Sequence, residues 1–361
     1  MSPHRFRIVA VGDLQLGDSP TSVGFGFRSR YGAADLPGVL AGLVTLLRDA
    51  DIVFGDLEAP LSSRDIDAGS WSSREMRGEP EYALALRSAG FTVMNVANNH
   101  AVQHGLDGFK DSLAALRNAG IVPCGIRGTE PWASEPVTLT VGGGSVGVLG
   151  YCLRPRQYGS DEPPFAEGSP NSIIADVARL RATTDAVLVS LHWGEEFVPV
   201  PSVDEVALGH SIIDAGASMI LGHHPHVIRP VERYGRGLIA YSLGNCVGDM
   251  VWYKPFRRGA VVSAELADGE VVSATVRVTE LDSRYRPTVS DGQQAVVGTG
   301  DIEPLTAEEY AKEIARTWRD QRLAVYWHVL LRVWRVPPLL LAQLISRTFR
   351  NKIRAVFGGD G

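Results

Sequence analysis

The sequence predicts an α/β fold, and three of its features indicate that class. Apolar runs rich in β-branched residues alternate with stretches of helical spacing up to about residue 280. Several of those runs end directly before carboxylate, amide or imidazole side chains, as functional strands of open α/β sheets do. From about Thr306 the pattern becomes helical and rich in Trp, Leu and Arg. We therefore expect an α/β domain followed by a helical tail.

The predicted strands are short apolar runs that stop at polar or glycine-bearing loops. They cover Phe6–Val11, Asp51–Phe54, Phe91–Ala97, Ala186–Leu191 and Ser218–Leu221. Two further pairs are predicted hairpins because they flank glycine turns: Val137–Val141 with Ser145–Leu149, and Val261–Leu266 with Val271–Val278.

The predicted helices follow these strands and have recognisable start and stop residues, such as a first-turn Pro or a final Gly. They cover Leu36–Ala50, Pro80–Ala89, Leu106–Ala119, Ile173–Ala182 and Val203–Ala215. Residues 62–78 and Arg154–Asn171 are predicted loops, and the second is long enough to favour a functional role. We divide the chain into a domain at 1–290, a linker at 291–305 and a basic amphipathic helical tail at 306–361.

Composition narrows the class of protein. The 361 residues carry a formal charge of −6, which argues against a nucleic-acid partner, since such proteins usually have a basic face. The three cysteines are scattered and predict no disulfide framework. The N-terminus has no signal-like apolar stretch, and no apolar run is long enough to span a bilayer. We expect a cytoplasmic protein.

Candidate metal ligands follow five of the predicted strands: Asp13, Asp56 with Glu58, Asn98 to His100, His192, and His223 to His226. Strand ends of an α/β sheet converge, so these side chains are expected to lie together. Hard oxygen and imidazole ligands without a thiolate suit Mn, Fe, Zn or Mg. The set exceeds what one tetrahedral ion needs and fits two divalent metal ions that share a bridging carboxylate.

Each of these short patterns also has an ordinary structural explanation. A Gly-Asp pair after a strand is usually a turn, and Asn98-Asn99-His100 could cap a helix. His192 could be a hydrogen-bonded core histidine. His223-His224-Pro225-His226 is harder to explain by packing, because three imidazoles fall within four residues. The order of all five patterns together favours a metal site.

The motifs resemble those of the CapA family of capsule or poly-γ-glutamate synthesis proteins, which are similar to calcineurin-like metallophosphoesterases. The matching stretches are VGDLQLGD (11–18), DIVFGDLEAPL (51–61), VANNHAVQHG (96–105), SLHWGEEF (190–197), LGHHPHVI (221–228) and YSLGN (241–245). The resemblance covers about residues 6–280 and implies a metallophosphoesterase-like four-layer α/β/β/α sandwich, with the helical tail appended.

The resemblance implies metal ligands at seven positions. Asp13 and His226 would hold the first ion. Asn99, His192 and His224 would hold the second, and Glu58 would bridge the two, with Asp56 as a rival for that role. His223 is expected to support the ligands from behind them.

The resemblance also implies catalytic and substrate-binding residues. His100 would stabilise substrate charge or protonate a leaving group, next to Asn99. Tyr241 and Asn245 would line the site. Glu195 and Glu196 would bind a cationic or hydroxyl-rich group, or else be solvated loop acids.

The sequence departs from the family pattern at several positions, which puts the substrate in question more than the metal site. Gln15 stands where phosphoesterases usually have His. Gln103-His104 replaces Asp-Tyr, and Cys246 replaces Phe. Family members often carry an N-terminal membrane anchor, and none is predicted here.

The function predicted from these residues is metal-dependent hydrolysis of a phosphoester or a γ-glutamyl-type amide in a small-molecule or polymer substrate. The alternatives are a non-catalytic, metal-bound accessory subunit of a capsule polymer synthase, or a membrane-surface binding protein. The tail places Arg and Lys between Trp and Leu, which is typical of a helix in a membrane interface. Packing on its own domain, or on a second copy in a homo-oligomer, would give the same pattern.

Overall fold

Two β-sheets pack face to face, and helices cover the outer surface of each sheet. The computed structural model describes residues 4–64, 70–129, 132–159, 162–294, 297–298, 302–343 and 346. The predicted α/β class and the four-layer α/β/β/α arrangement are both confirmed.

The first sheet has the strand order β14-β13-β12-β1-β2-β3-β4, with β11 also paired to β1. The strands β1 to β4 are mutually parallel, so their carboxyl ends meet at one edge. The bounds are β1 Arg5–Leu14, β2 Ile52–Leu57, β3 Val93–Asn95, β4 Val122–Cys124, β11 Asn245–Val247, β12 Arg258–Ala267, β13 Glu270–Leu281 and β14 Pro287–Gln294.

The second sheet has the order β15-β9-β10-β8-β7-β6-β5. Its central strands β6, β7, β8 and β10 are parallel. The bounds are β5 Val137–Val141, β6 Gly144–Cys152, β7 Ala186–His192, β8 Met219–His223, β9 Val231–Tyr234, β10 Gly237–Ala240 and β15 Val297–Gly298. The sequence patterns missed β9 and β10, which are only four residues each.

Seven α-helices with defined bounds and three short 3₁₀ turns accompany the sheets, and residues 338–343 are also helical. The α-helices are α1 Phe27–Arg30, α2 Leu36–Leu47, α3 Tyr82–Ala89, α4 Gly105–Asn118, α5 Pro170–Arg181, α6 Val203–Asp214 and α7 Ala307–Leu330. Helices α2, α3 and α4 pack on the first sheet, whereas α5 and α6 pack on the second.

Apolar side chains of facing strands fill the space between the sheets. Phe54 and Val262 of the first sheet and Leu188 and Leu221 of the second belong to this buried layer. Separate apolar layers lie between each sheet and its helices. Burial on both faces explains why the central strands are almost continuously apolar.

The C-terminal region differs in part from the predicted linker and appended helical tail. The strand β14 extends to Gln294, and Val297–Gly298 pairs with β9, so part of the segment 291–305 belongs to the sheets. Helix α7 lies on the body of the domain rather than apart from it. Val336 and Leu340 beyond it pack against Val23, Phe25 and Trp71. Local polarity suggested a linker, but short edge pairings decide the structure here.

Within the described residues, no helix is long and apolar enough to cross a membrane.

Candidate metal centre

Strand register brings three oxygen-bearing side chains into one row across the first sheet. Asp13 of β1 is the register neighbour of Asp56 of β2, and Asp56 is the neighbour of Asn95 of β3. On its other side Asp13 pairs with Asn245 of β11. A register shift between Ala10 and Asp13 bends β1 at this point. Asp13 and Asp56 therefore lie inside the ends of their strands, not in the loops after them.

Gly12 permits the close backbone approach that fixes Asp13. A Cβ at this position would lie 2.0 Å from the carbonyl oxygen of Gly244. The backbone N–H of Asp13 donates to that same oxygen at 2.9 Å. A larger residue at position 12 would therefore push β1 away from β11 and displace the Asp13 carboxylate.

The second sheet supplies histidines from two neighbouring strands. His192 ends β7 and His223 ends β8, and the two are register neighbours. Both are fully buried. The Nδ1 atom of His192 lies 3.3 Å from Oδ2 of Asp56, and Nδ1 of His223 lies 3.0 Å from Oδ1 of Asp13. The site thus lies where the two sheets face each other.

The turn after β8 adds His224 and His226 through an unusual backbone. Both have positive φ angles, 92° and 57° respectively. Such angles cost a non-glycine residue roughly 1 to 3 kcal/mol, and they are most common at functional sites. The Nδ1 atom of His226 lies 3.1 Å from Oδ2 of Asp13, and its Nε2 lies 3.4 Å from Oε1 of Glu58. The strained turn brings both imidazoles to the carboxylates.

Glu58 lies directly beyond β2 and faces the same cluster. Its Oε1 is 4.0 Å from Nε2 of His192, and its Oε2 accepts a hydrogen bond from Nε2 of Gln15 at 2.9 Å. Gln15 thus occupies a position beside the carboxylates and orients Glu58.

The loop after β3 holds Asn99 and His100 at the edge of the cluster. The Nδ2 atom of Asn98 donates to the carbonyl of Leu57, which ties this loop to β2. The Oδ1 atom of Asn99 lies 2.7 Å from Nε2 of His192. His100 donates from Nδ1 to Oε1 of Gln103 at 2.7 Å, which leaves its Nε2 as the free lone pair.

Potential ligand atoms fall into two compact groups. Asp13, Asp56 and His223 form one, and Glu58, His224 and His226 form the other; within each, the ligand atoms lie within 4.8 Å of one another. All six residues are buried. This division differs from the one implied by the family resemblance, because His223 joins Asp13 directly and His226 groups with Glu58.

The pKa values of the cluster reflect carboxylates and imidazoles that are buried beside one another. Burial opposes ionisation of Asp13, but hydrogen bonds from His223 and His226 outweigh burial and hold the pKa of Asp13 below its usual value. Burial raises the pKa of Glu58 well above its usual value. Burial lowers the pKa of His226 as well, but Glu58 and Asp13 more than compensate and raise it to about 10.

Two neighbouring imidazoles have pKa values below their usual range. Burial, followed by the proximity of His192 and His226, lowers the pKa of His224 well below its usual value. Burial lowers the pKa of His100 to about 4, so its neutral form prevails near neutral pH. Neutral imidazole is the form that binds metals.

Buried ligand atoms that lack a hydrogen-bond partner indicate whether a cation would fit this site. Among the described residues, several buried atoms make no hydrogen bond: Oδ2 of Asp56, Oε1 of Glu58, Nδ1 of His192, Nε2 of His223, and both ring nitrogens of His224. Buried polar atoms left unsatisfied cost roughly 1 to 3 kcal/mol each. Coordination by a divalent cation would satisfy them together, and the donor set suits Mn, Fe, Zn or Mg.

A cavity of about 850 Å³ opens from the cluster towards helix α7. Its floor includes Gln15, His100 and His226, and Glu196 lies on its wall. The tail contributes the roof through Trp318, Arg319, Gln321, Arg322, Val325 and Tyr326. Contact between Trp318 and Phe197, whose ring centroids are 5.1 Å apart, holds the helix over the site.

Three of the predicted substrate-binding residues have other contacts. Tyr241 is buried on the helix-covered side of the second sheet, where it stacks on Trp193 and donates to Glu232, so it does not line the site. Glu195 forms a two-point ion pair with Arg154. Asn245 lies at the cluster, but its Oδ1 faces Nδ1 of His226 and its Nδ2 donates to Phe256.

Some residues at the site were not predicted. Asn95 donates to Oδ1 of Asp56 at 2.6 Å, and Oε1 of Gln157 accepts a hydrogen bond from Asn99 at 3.1 Å. Asn95 could have been found, because it also ends a strand. Gln157 and the roof residues of α7 come from segments without a motif, and only the tertiary structure places them here.

Comparisons with known proteins identify the family of this chain. Residues 7–250 match the family described as bacterial capsule synthesis protein PGA_cap. The capsule biosynthesis protein CapA of Bacillus anthracis is 28% identical over 296 residues, which is 79% of this chain and 70% of that protein. The PGA biosynthesis protein CapA of Bacillus subtilis is 31% identical over 227 residues, but that is 61% of this chain and only 59% of the relative.

Among solved structures, a sulfate thiohydrolase SoxB from Thermus thermophilus in complex with glycerol aligns with 88% of this chain and 60% of its own, at 13% identity and a TM-score of 0.47. The family match spans well over half of the 361 residues and confirms the resemblance carried by the motifs. The chain belongs to the bacterial capsule synthesis protein family PGA_cap.

Proposed function

We propose that this chain is a metal-dependent hydrolase that acts in the synthesis of a capsule, of poly-γ-glutamate or of a related envelope polymer. Its substrate would be a phosphoester or a γ-glutamyl-type amide. The observation that carries the proposal is the set of buried, unpartnered ligand atoms between the two sheets, at the base of a large cavity. The names of the relatives suggest the process, which is synthesis of an envelope polymer. The ligand atoms of the site suggest the reaction, which is metal-dependent hydrolysis.

Two divalent ions would be held by the two residue groups. Asp13, Asp56 and His223 would bind one, and Glu58, His224 and His226 the other. Asn99 and His192 lie beside Glu58 and would complete the set. When bound, such a pair of ions lowers the pKa of a shared water and polarises the substrate.

The protein's own residues would orient the substrate and move protons. His100 lines the cavity with its Nε2 lone pair available, because its Nδ1–H is donated to Gln103. In the free protein burial lowers the pKa of His100 to about 4, so its neutral form prevails near neutral pH. An anionic substrate beside it would favour the charged form, and His100 would then donate a proton to the leaving atom.

The size and lining of the cavity favour a partly anionic substrate. Its volume lies within the roughly 300–1,000 Å³ range of small-molecule sites. Arg319 and Arg322 project from the roof, and Trp318 adds an aromatic surface. Both phosphoesters and γ-glutamyl polymers carry oxygen anions that guanidinium groups recognise.

The process would take place in the cytoplasm, as the sequence predicts. Cys124, Cys152 and Cys246 are buried and free, which supports a reducing compartment for this chain.

Purified protein loaded with Mn²⁺ tests the proposal directly. It should hydrolyse either bis(p-nitrophenyl) phosphate or a γ-glutamyl anilide, and Asp56→Asn should abolish that turnover. His210→Ala is the matched control, because the half-buried His210 pairs with Glu232 on the helix-covered side of the second sheet, away from the cluster. The identity of the cleaved compound decides between phosphoester and amide.

A metal-loaded chain that turns over neither compound, nor poly-γ-glutamate, would contradict the hydrolase proposal. It would favour the alternative of a metal-bound accessory subunit of a polymer synthase.

A further inference from the structure

Helix α7 has its apolar and polar faces reversed relative to an ordinary surface helix. The face against the domain carries Thr317, Gln321 and His328, all buried. His328 bonds to Ser22 through Nε2 at 3.1 Å. An ordinary surface helix would place its apolar residues on this inner face.

The outer face of the same helix carries an apolar stripe. It consists of Leu323, Tyr326, Trp327 and Leu330, and each has more than half of its surface exposed. The spacing i, i+3, i+4, i+7 places the four side chains on one side of the helix. Just beyond the helix, Leu331 and Trp334 are also exposed, Trp334 by 73%. An exposed apolar patch of this kind marks an interaction surface.

A cleft lined by arginines lies beside the stripe. Its volume is about 370 Å³, and its lining includes Arg30, Arg284, Arg332 and Arg335 together with Leu331. Arg335 stacks on the ring of Trp334 at 4.9 Å, so cleft and apolar patch are continuous.

The guanidinium groups of the cleft have no carboxylate partner among the described residues. Arg332 donates to the carbonyl of His328, and Arg30 lies 3.5 Å from the carbonyl of Ser283. The acid of the neighbouring turn, Asp282, is already paired with Arg286. Four guanidinium groups without counter-charges are suited to phosphate oxygens, which they bind in a planar, two-point geometry.

The sequence extends this charge pattern beyond the cleft. Residues 321–359 contain no Asp or Glu but seven basic residues: Arg322, Arg332, Arg335, Arg347, Arg350, Lys352 and Arg354. The chain as a whole is acidic, at −6. The positive charge is therefore concentrated in the segment that also exposes the apolar stripe.

We propose that the outer face of α7 and the adjoining arginine cleft form a docking surface for an anionic lipid membrane. The stripe enters the interface between headgroups and acyl chains, and the arginines bind lipid phosphates. A second copy of the chain fits less well, because a symmetric contact would bring the same basic patch against itself without acids to offset it. Free phosphate would explain the cleft but not the stripe.

Docking would place the active-site cavity at the membrane surface. Tyr326 belongs to the stripe and also lines the cavity, and Arg322 lines its roof. The cavity mouth would then open beside the lipid headgroups, where an envelope polymer is assembled. This consequence is independent of whether the metal site hydrolyses its substrate.

Co-sedimentation of the full chain with vesicles tests the proposal. Binding is expected to phosphatidylcholine vesicles that contain phosphatidylglycerol, and to weaken in high salt. Arg284→Glu with Arg335→Glu should lower the partition coefficient at least about 30-fold, since each surface arginine contributes roughly a factor of five. Arg48→Glu with Arg117→Glu is the matched control, because both are exposed and precede β2 and β4 at the opposite edge of the first sheet.

A second pair, Leu323→Ser with Trp327→Ser, tests the stripe. It should weaken the binding that persists in high salt. Thermal unfolding and metal content check that each variant is folded, and Trp334→Ala is a milder substitute should the pair not fold.

Three outcomes would overturn the proposal. The first is that the parent chain does not bind anionic vesicles at low salt. The second is that the control pair loses binding as fully as the cleft pair. The third is that binding of inorganic phosphate, or self-association removed by Leu323→Ser with Trp327→Ser, occurs without any vesicle binding.

Discussion

The Nδ1 atom of His223 lies 3.0 Å from Oδ1 of Asp13, and the opposite ring nitrogen of His223 is buried without a hydrogen-bond partner among the described residues. A carboxylate that orients an imidazole in this way fixes the tautomer of a metal ligand. His223 is therefore placed to bind a metal ion directly, whereas the sequence predicted only that it supports the ligands. It lies in a group with Asp13 and Asp56.

We predict that the histidines divide between two ions. His224→Ala with His226→Ala should remove the ion held with Glu58, and His223→Ala should weaken the ion held with Asp13 at least about 10- to 100-fold. Elemental analysis of the purified variants, followed by a competition titration with a chelator, measures both effects. His210→Ala should keep the full metal content, since His210 pairs with Glu232 and stacks on Tyr234, neither of which belongs to the two ligand groups. Full metal content in the double variant would show that the ligands are assigned wrongly.

Asn99 and His100 should have separable roles. Asn99 touches His192 at 2.7 Å, so Asn99→Ala should lower both metal content and turnover. His100 bonds to Gln103 instead, so His100→Ala should keep the metal and lower turnover by roughly 10² to 10⁴, as for a proton-transfer residue. Metal analysis and steady-state rates of the two variants, measured side by side, check the division. Equal metal loss in both would contradict it.

Much of the site was predictable because the carboxyl ends of parallel strands lie together at one edge of a sheet. The parallel strands β1, β2 and β3 bring Asp13, Asp56 and Asn95 to one edge whatever the details of the loops. The orientation of single side chains was less predictable. Tyr241 is close in sequence to Asn245, yet it faces the outer layer and not the site. Tyr241 directly follows β10 of the second sheet, whereas Asn245 begins β11 of the first sheet, so the chain passes between the sheets within these few residues, and the sequence patterns did not predict that crossing.

The tail shows a different limit of sequence patterns. The hydrophobic pattern of the tail left open whether its apolar residues contact a membrane, the domain or a second copy, and in the structure Leu323, Trp327 and Leu330 face outward. The inner face is set by specific polar contacts, such as the hydroxyl of Tyr310, which accepts from the backbone N–H of Glu195 and contacts Arg229. Partners that lie a hundred residues away cannot be identified from the helix alone.

The segment after α7 should stabilise the fold through Leu340. This residue is 2% exposed and packs with Val23, Phe25 and Trp71, whereas its neighbour Leu339 is 80% exposed. Leu340→Ala should lower the free energy of unfolding by roughly 2 to 5 kcal/mol, and Leu339→Ala should change it little. Urea unfolding of the two variants provides the comparison. A tail that does not contribute to the domain would give the same small effect for both.

The carboxylate of Asp249 should make stability depend on pH. Asp249 is fully buried, and its Oδ2 accepts hydrogen bonds from the backbone N–H groups of Ser19 and Phe27. Burial, together with the nearby charge of Asp18, raises the pKa of Asp249 to about 7. Tyr285 is also influenced by Asp249, and burial raises the pKa of Tyr285 to about 12, so it does not titrate in the same range.

The sign of the effect follows from the raised pKa of Asp249. Between its unfolded value near 3.8 and its folded value of about 7, the folded state binds more protons than the unfolded state. Stability from this group is therefore complete below pH 3.8 and is lost as the pH rises towards about 7. The total change is on the order of a few kcal/mol.

Asp249→Asn should remove this dependence, because an amide keeps an oxygen for the two backbone donors but carries no charge. The difference in free energy of unfolding between the variant and the parent chain should grow as the pH rises from about 5 to about 8, in favour of the variant. Urea unfolding at several pH values measures it, with Asp204→Asn on the exposed start of α6 as the control. A difference that is constant over this pH range would show that Asp249 is already ionised in the folded protein at pH 5, and that its backbone hydrogen bonds outweigh the cost of burying its charge.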